Sequence, residues 1–495
     1  MNLNCLTLTE ASEGLQQKKF SSEELTRDCL AAIEKHDTTL HAFLTVDADG
    51  AIATAKDIDA HRKKHANLDP LAGIPIAVKD NIATHGMRTT AASNILVEYV
   101  PPYDATAVAR LKERGMIVLG KTNLDEFGHG GSTEHSAFGP TKNPWDTTRV
   151  PGGSSGGSAA AIAASECIAS LCTDTGGSIR QPAAFCGAVG LKPTYGSVSR
   201  YGLLSMTSST DVVGSITKTV RDAALMFDAI TGPDAHDAAT MSASRSSSSV
   251  VLSGDIRGRT LGIPKEYFGE GMSADVRHAL TKAIEQFRAL GARVVDMTLP
   301  NTVSAVPVYY IITPSEISAN LARYDGIRYG HSISRNSKLE TRNLEEVYTR
   351  SRAEGFGDEA KRRIMLGTYA LSAGYYDAFY VKASQVRTLI REDFDEAFKT
   401  VDAIITPVAP DVAFKLGEKA DDPLQLYLED IFVTAVSLSG LPAISIPCGF
   451  AEKGKKKLPI GMQIIGKHFA EATILECAYA YEQATNWHTM HPLLA

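Results

Sequence analysis

Two short stretches concentrate glycine and serine: PGGSSGG at Pro151 to Gly157 and TDTGGSIRQP at Thr173 to Pro182. Consecutive glycines ahead of Ser178 leave a run of backbone N–H groups unshielded by side chains. That arrangement suits an oxyanion, and a serine at the end of such a nest is a candidate nucleophile. A serine hydroxyl attacks only when a base takes its proton. Lys79 offers itself as that base because it ends the apolar run AGIPIAV, residues 72 to 78. Burial there disfavours the charged ammonium, lowers its pKa and leaves an amine able to accept a proton near neutral pH.

Other readings of the same letters fit less well. A flexible spacer needs polar, structureless flanks, whereas PGGSSGG lies between NPWDTTRVP and SAAAIAAS, the latter a helix start of small residues. GGSSG matches the nucleophile elbow GxSxG in form, but that elbow needs a strand immediately before it and Pro151 stands there. DTG at Asp174 to Gly176 has the letters of an aspartic protease without a second copy to pair its carboxylate. SITK, Ser215 to Lys218, fits SxxK, a pattern frequent by chance.

The elements expected to position these residues alternate. Residues 5 to 35 read as helix, with Ser21 and Glu24 as a capping box and Leu25, Cys29 and Ile33 recurring every four residues. AFLTVD follows as a strand, then a helix from Ala51 to His65, the apolar run LAGIPIAVKDNI, a helix in DATAVARLKERG and the strand MIVLG. CIASLCTD is an apolar strand leading into the second glycine stretch, and the pattern past Arg221 is helical to about Thr231. Val386, Leu389, Ile390, Phe394 and Phe398 share one helix face, and VDAIITPVAP reads as a late buried strand. KGKKK, Lys453 to Lys457, reads as a hairpin turn between AISIPCGF and LPIGMQIIG. Such alternation points to an α/β layered fold with a largely buried sheet. The low-complexity segment Ser242 to Val250 reads as a mobile loop.

Bulk composition narrows the classes further. With 495 residues, 44% hydrophobic and 22% charged, the chain can bury a large core; length alone suggests two or three domains, although large single-sheet enzymes reach this size. A net charge of -7 gives no general attraction to polyanions. Seven cysteines without a CxxC pair fit reduced thiols. The N-terminus lacks a signal-peptide layout and no apolar stretch approaches the ~18 residues of a membrane helix, so a cytoplasmic protein without membrane contact is expected.

GIPIAVKDNI, NPWDTTRVPGGSSGGSAA and DTGGSIRQPAAFCGAVGLKPTYG together resemble the amidase signature family, in that family's order, densely over roughly residues 65 to 225. The resemblance implies an amidase signature fold, α/β in class, with a central mixed twisted β-sheet covered by helices on both faces. It implies one amidase domain over residues 1–495: a helical segment 1–65, a signature core of about 65–225, and a part from 250–495 that forms the substrate pocket and contacts partners. It makes Lys79 the base, Ser154 a bridging serine in a cis peptide and Ser178 the acyl-forming nucleophile. Backbone N–H groups of Thr175, Gly176, Gly177 and Ser178 become the oxyanion hole, and Ser155 and Ser158 become structural residues of the turn. No histidine or metal is required.

TNLDEFGHGGSTEHSAFGPTKNPWD, SANLARYDGIRYG, GFGDEAKRRIMLGTYALSAGYYDAFY and GLPAISIPCGF extend the resemblance to the A-subunit branch of the tRNA-dependent amidotransferases. That branch implies glutamine as ammonia donor, with Arg363 on its carboxylate, Asp430 on its ammonium and Tyr309 or Tyr310 lining the pocket. It further implies a heterotrimer in which B and C subunits, the latter small, are the partners. Ammonia then converts Glu-tRNA(Gln) to Gln-tRNA(Gln) in an ATP-dependent reaction. ATP, Mg and most tRNA contact fall to the B subunit, with no cofactor on this chain. The absence of GxxxxGK[ST] agrees. His129 departs from the methionine common in that family, on a loop expected to border the pocket. A stand-alone amidase for small or aryl amides shares the triad without needing Arg363 or Asp430; a silent scaffold needs none of them.

Overall fold

Runs of apolar and β-branched residues without polar alternation form strands buried on both faces, and this chain builds its sheet from them. The computed structural model describes residues 2–64, 68–241, 252–269, 271–335 and 343–494. The segment Ser242 to Val250, expected as a loop, lies outside the described residues. The strands are β1 (Phe43–Val46), β2 (Pro75–Lys79), β3 (Ile117–Thr122), β4 (Ala169–Asp174), β5 (Val189–Lys192), β6 (Val212–Thr217), β7 (Thr260–Pro264), β8 (Arg293–Met297), β9 (Ala403–Pro407), β10 (Ala443–Lys453) and β11 (Lys456–Gly466). They join in one 11-stranded sheet ordered β1-β3-β2-β4-β6-β5-β10-β11-β9-β7-β8.

The sheet is mixed. β2 runs parallel to β3 and β4, and β7 parallel to β8 and β9, while the centre from β6 to β11 is antiparallel. Every residue of β2 to β6 and β9 is buried. Because successive side chains point to opposite faces, both faces must be covered, and helices cover them. Lys453 pairs with Lys456 at the tip of the β10–β11 hairpin, where the lysine cluster turns the chain.

Two expectations are corrected. Residues 5 to 35 are not one helix: helices run Leu8–Gln16 and Ser22–Leu40, with Lys18 left-handed between them at φ 55°. The Ser21–Glu24 capping box is the reason, since it specifies a helix start, and Thr7 with Glu10 forms a second box one helix earlier. On the helix Lys382–Ala397, Ile390 and Phe394 are buried but Leu389 is 44% exposed, so the apolar stripe is narrower than its letters suggest.

The consequence for chemistry lies in the parallel pair β2 and β4. Their register, Ile76 with Ala169 to Val78 with Leu171, brings both carboxyl ends to the same edge. Lys79 closes β2 there and Asp174 closes β4, directly ahead of the glycine nest. Loops leaving the carboxyl ends of parallel strands are where α/β proteins place their ligands.

Candidate active site

Lys79 is fully buried, and its Nζ donates to Ser154 Oγ at 2.8 Å, Ser155 Oγ at 2.8 Å and the Thr173 carbonyl at 3.4 Å. Burial pushes its pKa down to about 8, with the buried Asp125, Asp174 and Asp211 among the groups that pull it back up. At pH 7 about one molecule in ten then carries the neutral amine. Asn81, two residues on, donates to Thr173 Oγ1 at 3.0 Å.

The stretch Pro151 to Gly157 is buried throughout, which excludes a spacer. The Gly153–Ser154 peptide is cis. Three hydrogen bonds tie this loop to the second glycine stretch: Gly153 N–H to Gln181 Oε1 at 2.9 Å, Ser155 N–H to the Ser178 carbonyl at 3.2 Å and Ser155 Oγ to the Thr173 carbonyl at 3.1 Å. Ser158 Oγ pairs with Thr122 Oγ1 at 2.6 Å, fixing the following helix Gly156–Ala163 to the end of β3.

Ser155 does more than shape the turn. Its hydroxyl accepts from Lys79 and donates to the Thr173 carbonyl at 3.1 Å, so its proton is committed. Ser154 also accepts from Lys79, but its hydroxyl donates to no group among the described residues, leaving its proton free to move. That difference, not distance from the amine, separates the two serines. Ser178 is 6% exposed, and its hydroxyl makes no hydrogen bond among the described residues, to Ser154 or otherwise. The geometry thus joins the amine to Ser154 and leaves the step from Ser154 to Ser178 open.

The nest ahead of Ser178 is held by a buried ion pair. Asp174 accepts from Gly177 N–H at 2.9 Å and Ile179 N–H at 3.1 Å, and from Arg180 Nε and Nη2 at 3.1 Å each. Burial raises the Asp174 carboxyl, but Arg180 and these N–H groups outweigh it and hold the pKa at about 2. Arg180 also reaches Gln463, Ser437 and the Val433 carbonyl, bracing the loop on the far half of the sheet. Gly177 therefore leaves the expected oxyanion set, because its N–H is spent on Asp174. It has φ +128°, and a Cβ there would lie 2.4 Å from Val433 Cγ2, so its contribution is backbone shape. The N–H groups of Thr175, Gly176 and Ser178 have no acceptor among the described residues and remain free to face a developing negative charge. Thr175 is itself pinned, its hydroxyl donating to Asp211 at 2.7 Å.

A second group of side chains carries opposite charges. Arg363, on the helix Asp358–Ala370, is buried; its Nε donates to Glu359 at 2.8 Å and its guanidinium lies 5.3 Å from the ring centroids of both Tyr310 and Tyr427. Its two Nη groups make no hydrogen bond among the described residues, which leaves a fork for a carboxylate. Asp430 accepts from Tyr310 Oη at 2.9 Å; burial raises its carboxyl to about 7. Tyr309 reaches the nest instead: a Cβ on Gly176 would lie 2.4 Å from its hydroxyl. The two tyrosines thus divide the pocket, Tyr309 at the candidate nucleophile and Tyr310 at the charged groups. His129 is fully buried close to Arg363.

Arg180, Gln181, Asp211, Glu359 and Tyr427 were not singled out from sequence, and Asp174 stood out there only as the aspartic-protease letters DTG. One of them carried a signal: Glu359 stands four residues before Arg363 on a helix, the spacing of a supporting ion pair.

The chain matches the family model described as Amidase over residues 24–475. Among curated relatives it is 53% identical to the A subunit of glutamyl-tRNA(Gln) amidotransferase from Geobacter metallireducens, covering 99% of both chains. It is 51% identical to the subunit of that name from Moorella thermoacetica, covering 100% of this chain and 99% of the relative. Among solved structures, the A subunit of glutamyl-tRNA(Gln) amidotransferase from Thermotoga maritima superposes with a TM-score of 0.80 at 40% identity, covering 99% of this chain and 98% of that one. Native peptide amidase of Stenotrophomonas maltophilia gives 0.80 at 29% identity over 97% of each chain. A match across nine-tenths of the length, together with relatives alike from end to end, means that this chain belongs to the amidase family.

Proposed function

We propose that the chain is the A subunit of a glutamyl-tRNA(Gln) amidotransferase, hydrolysing glutamine and passing the ammonia to a partner subunit. The observation that carries the chemistry is the buried Lys79 amine 2.8 Å from Ser154 Oγ, together with the N–H groups of Thr175, Gly176 and Ser178, which meet no acceptor among the described residues. Neutral Lys79 takes the proton of Ser154 as Ser154 takes that of Ser178, and Ser178 Oγ attacks the side-chain amide carbon. The N–H groups of Thr175, Gly176 and Ser178 hold the oxyanion. Collapse returns the relayed proton to the nitrogen, ammonia leaves, and water activated through the same relay cleaves the ester to glutamate. Ser178 must first turn toward Ser154, a hydrogen bond that substrate binding tightens.

The specificity follows from charge. Arg363 offers two free donors to the α-carboxylate and Asp430 an acceptor to the α-ammonium, which a neutral aryl or alkyl amide does not need. The full-length likeness to A subunits supports the biological setting: a cytoplasmic heterotrimer with B and C subunits, in which the B subunit provides the ATP site and most of the tRNA contact.

The test uses the chain purified with its native partners, measuring glutamate release with and without ATP and charged tRNA. Stimulation by both is expected. Ser178→Ala should abolish glutamine-dependent tRNA amidation while added ammonium salt restores it. Retained glutamine-dependent amidation in that variant would refute the assignment.

A further inference from the structure

The loop Gly128 to Gly131 runs along the candidate pocket from one functional end to the other. A Cβ on Gly128 would stand 3.5 Å from Ser154 Oγ, and one on Gly131 3.8 Å from Asp430 Oδ1. His129 lies between them, fully buried. Among the described residues neither of its ring nitrogens has a hydrogen-bond partner, and no other histidine there has both nitrogens buried and unmet. A polar ring sealed in this way is costly unless something pairs with it.

The charges around it indicate what that partner is. Burial and then the Arg363 guanidinium hold the ring well below its ordinary pKa, against the opposing pull of Glu359, so it is neutral and carries one N–H donor and one acceptor nitrogen. A neutral donor near a guanidinium with both Nη groups open completes a site for an anion rather than a cation. Asp430, at the other end of the loop, is the partner for a cation.

We propose that His129 is a specificity-determining residue whose ring N–H donates to the α-carboxylate of the amino-acid substrate, alongside Arg363. This rests on the glutamine reading above and adds to it a contact outside the charged pair.

The experiment compares kcat/KM for L-glutamine with that for 4-aminobutanamide, which keeps the ammonium and amide but lacks the carboxylate, in the complex with native partners. In His129→Ala the ratio of the two should fall about ten- to a hundredfold, mainly through KM for glutamine, because a hydrogen bond to a charged group is lost. His129→Gln, which restores an N–H donor, should recover part of that loss. His129→Phe keeps the volume without nitrogen and decides the matter should the alanine variant fail to fold. If the ratio is unchanged in His129→Ala or His129→Phe while Arg363→Ala collapses it, the proposal is overturned and the glutamine reading stands. A wild-type ratio near one would overturn both.

Discussion

Replacing Lys79 by methionine separates the cost of burying the amine from its use. The ordinary lysine pKa of 10.5 falls to about 8 in the folded chain, a gap worth roughly 3 kcal/mol. The sign follows from linkage. Below pH 8 the amine is protonated in both states and the folded protein bears the whole penalty. Between pH 8 and 10.5 the unfolded chain holds one proton more, so folded wild type gains about 1.4 kcal/mol per pH unit. Methionine at the same position has no such dependence. The unfolding free energy of Lys79→Met minus that of wild type should therefore decrease by roughly 2–3 kcal/mol between pH 7 and pH 10. Hydrogen bonds lost to Ser154 and Ser155 enter as a constant offset and leave the slope alone. Urea unfolding of both proteins at half-unit intervals gives the quantity directly, and amide hydrolysis by the variant should be absent throughout. A difference that stays level across that range would mean that the amine is not desolvated, and the relay would lose its base.

Three further outcomes follow. Glutamine turnover should rise with pH through the interval from about 7 to about 8, since Asp430 must be ionised to hold the ammonium and Lys79 neutral to accept a proton; a profile level from pH 6 to 9 contradicts both assignments. Arg180→Met leaves Asp174 buried without its partner and should cost about 3–5 kcal/mol, read as a lower urea midpoint, with slower labelling of Ser178 by a fluorophosphonate; an unchanged midpoint would show that the pair does not brace the nest. Gly177→Ala forces a Cβ to within 2.4 Å of Val433 and should lower kcat about a hundredfold through displacement of Ser178, measured beside a thermal unfolding curve that stays cooperative.

Local pattern made much of this legible. The apolar run before Lys79 marked a strand buried on both faces, and the amine at its end is buried with it. The glycines before Ser178 marked a backbone that must pass close to other groups, and Tyr309 and Val433 are those groups. Helix starts were readable where a side chain and the backbone three residues on satisfy each other, as at Ser21. The single helix expected across residues 5 to 35 failed on that same signal, which marks a start and so requires an end before it.

What sequence by itself determined is which residue types stand next to which in the chain: a lysine after an apolar strand, serines among glycines, an arginine four residues past a glutamate. Such patterns set local conformation and burial because those depend on near neighbours. Tertiary structure alone decided which group each polar atom meets. The Thr173 carbonyl commits the proton of Ser155 and leaves that of Ser154 free; Asp174 takes Gly177 out of the oxyanion set; a helix and a turn far along the chain bring Arg363 and Asp430 to one site. Hydrogen bonds form only over about 3 Å and only in the right direction, so partners tens to hundreds of residues apart are chosen by the folded chain and not by its spelling.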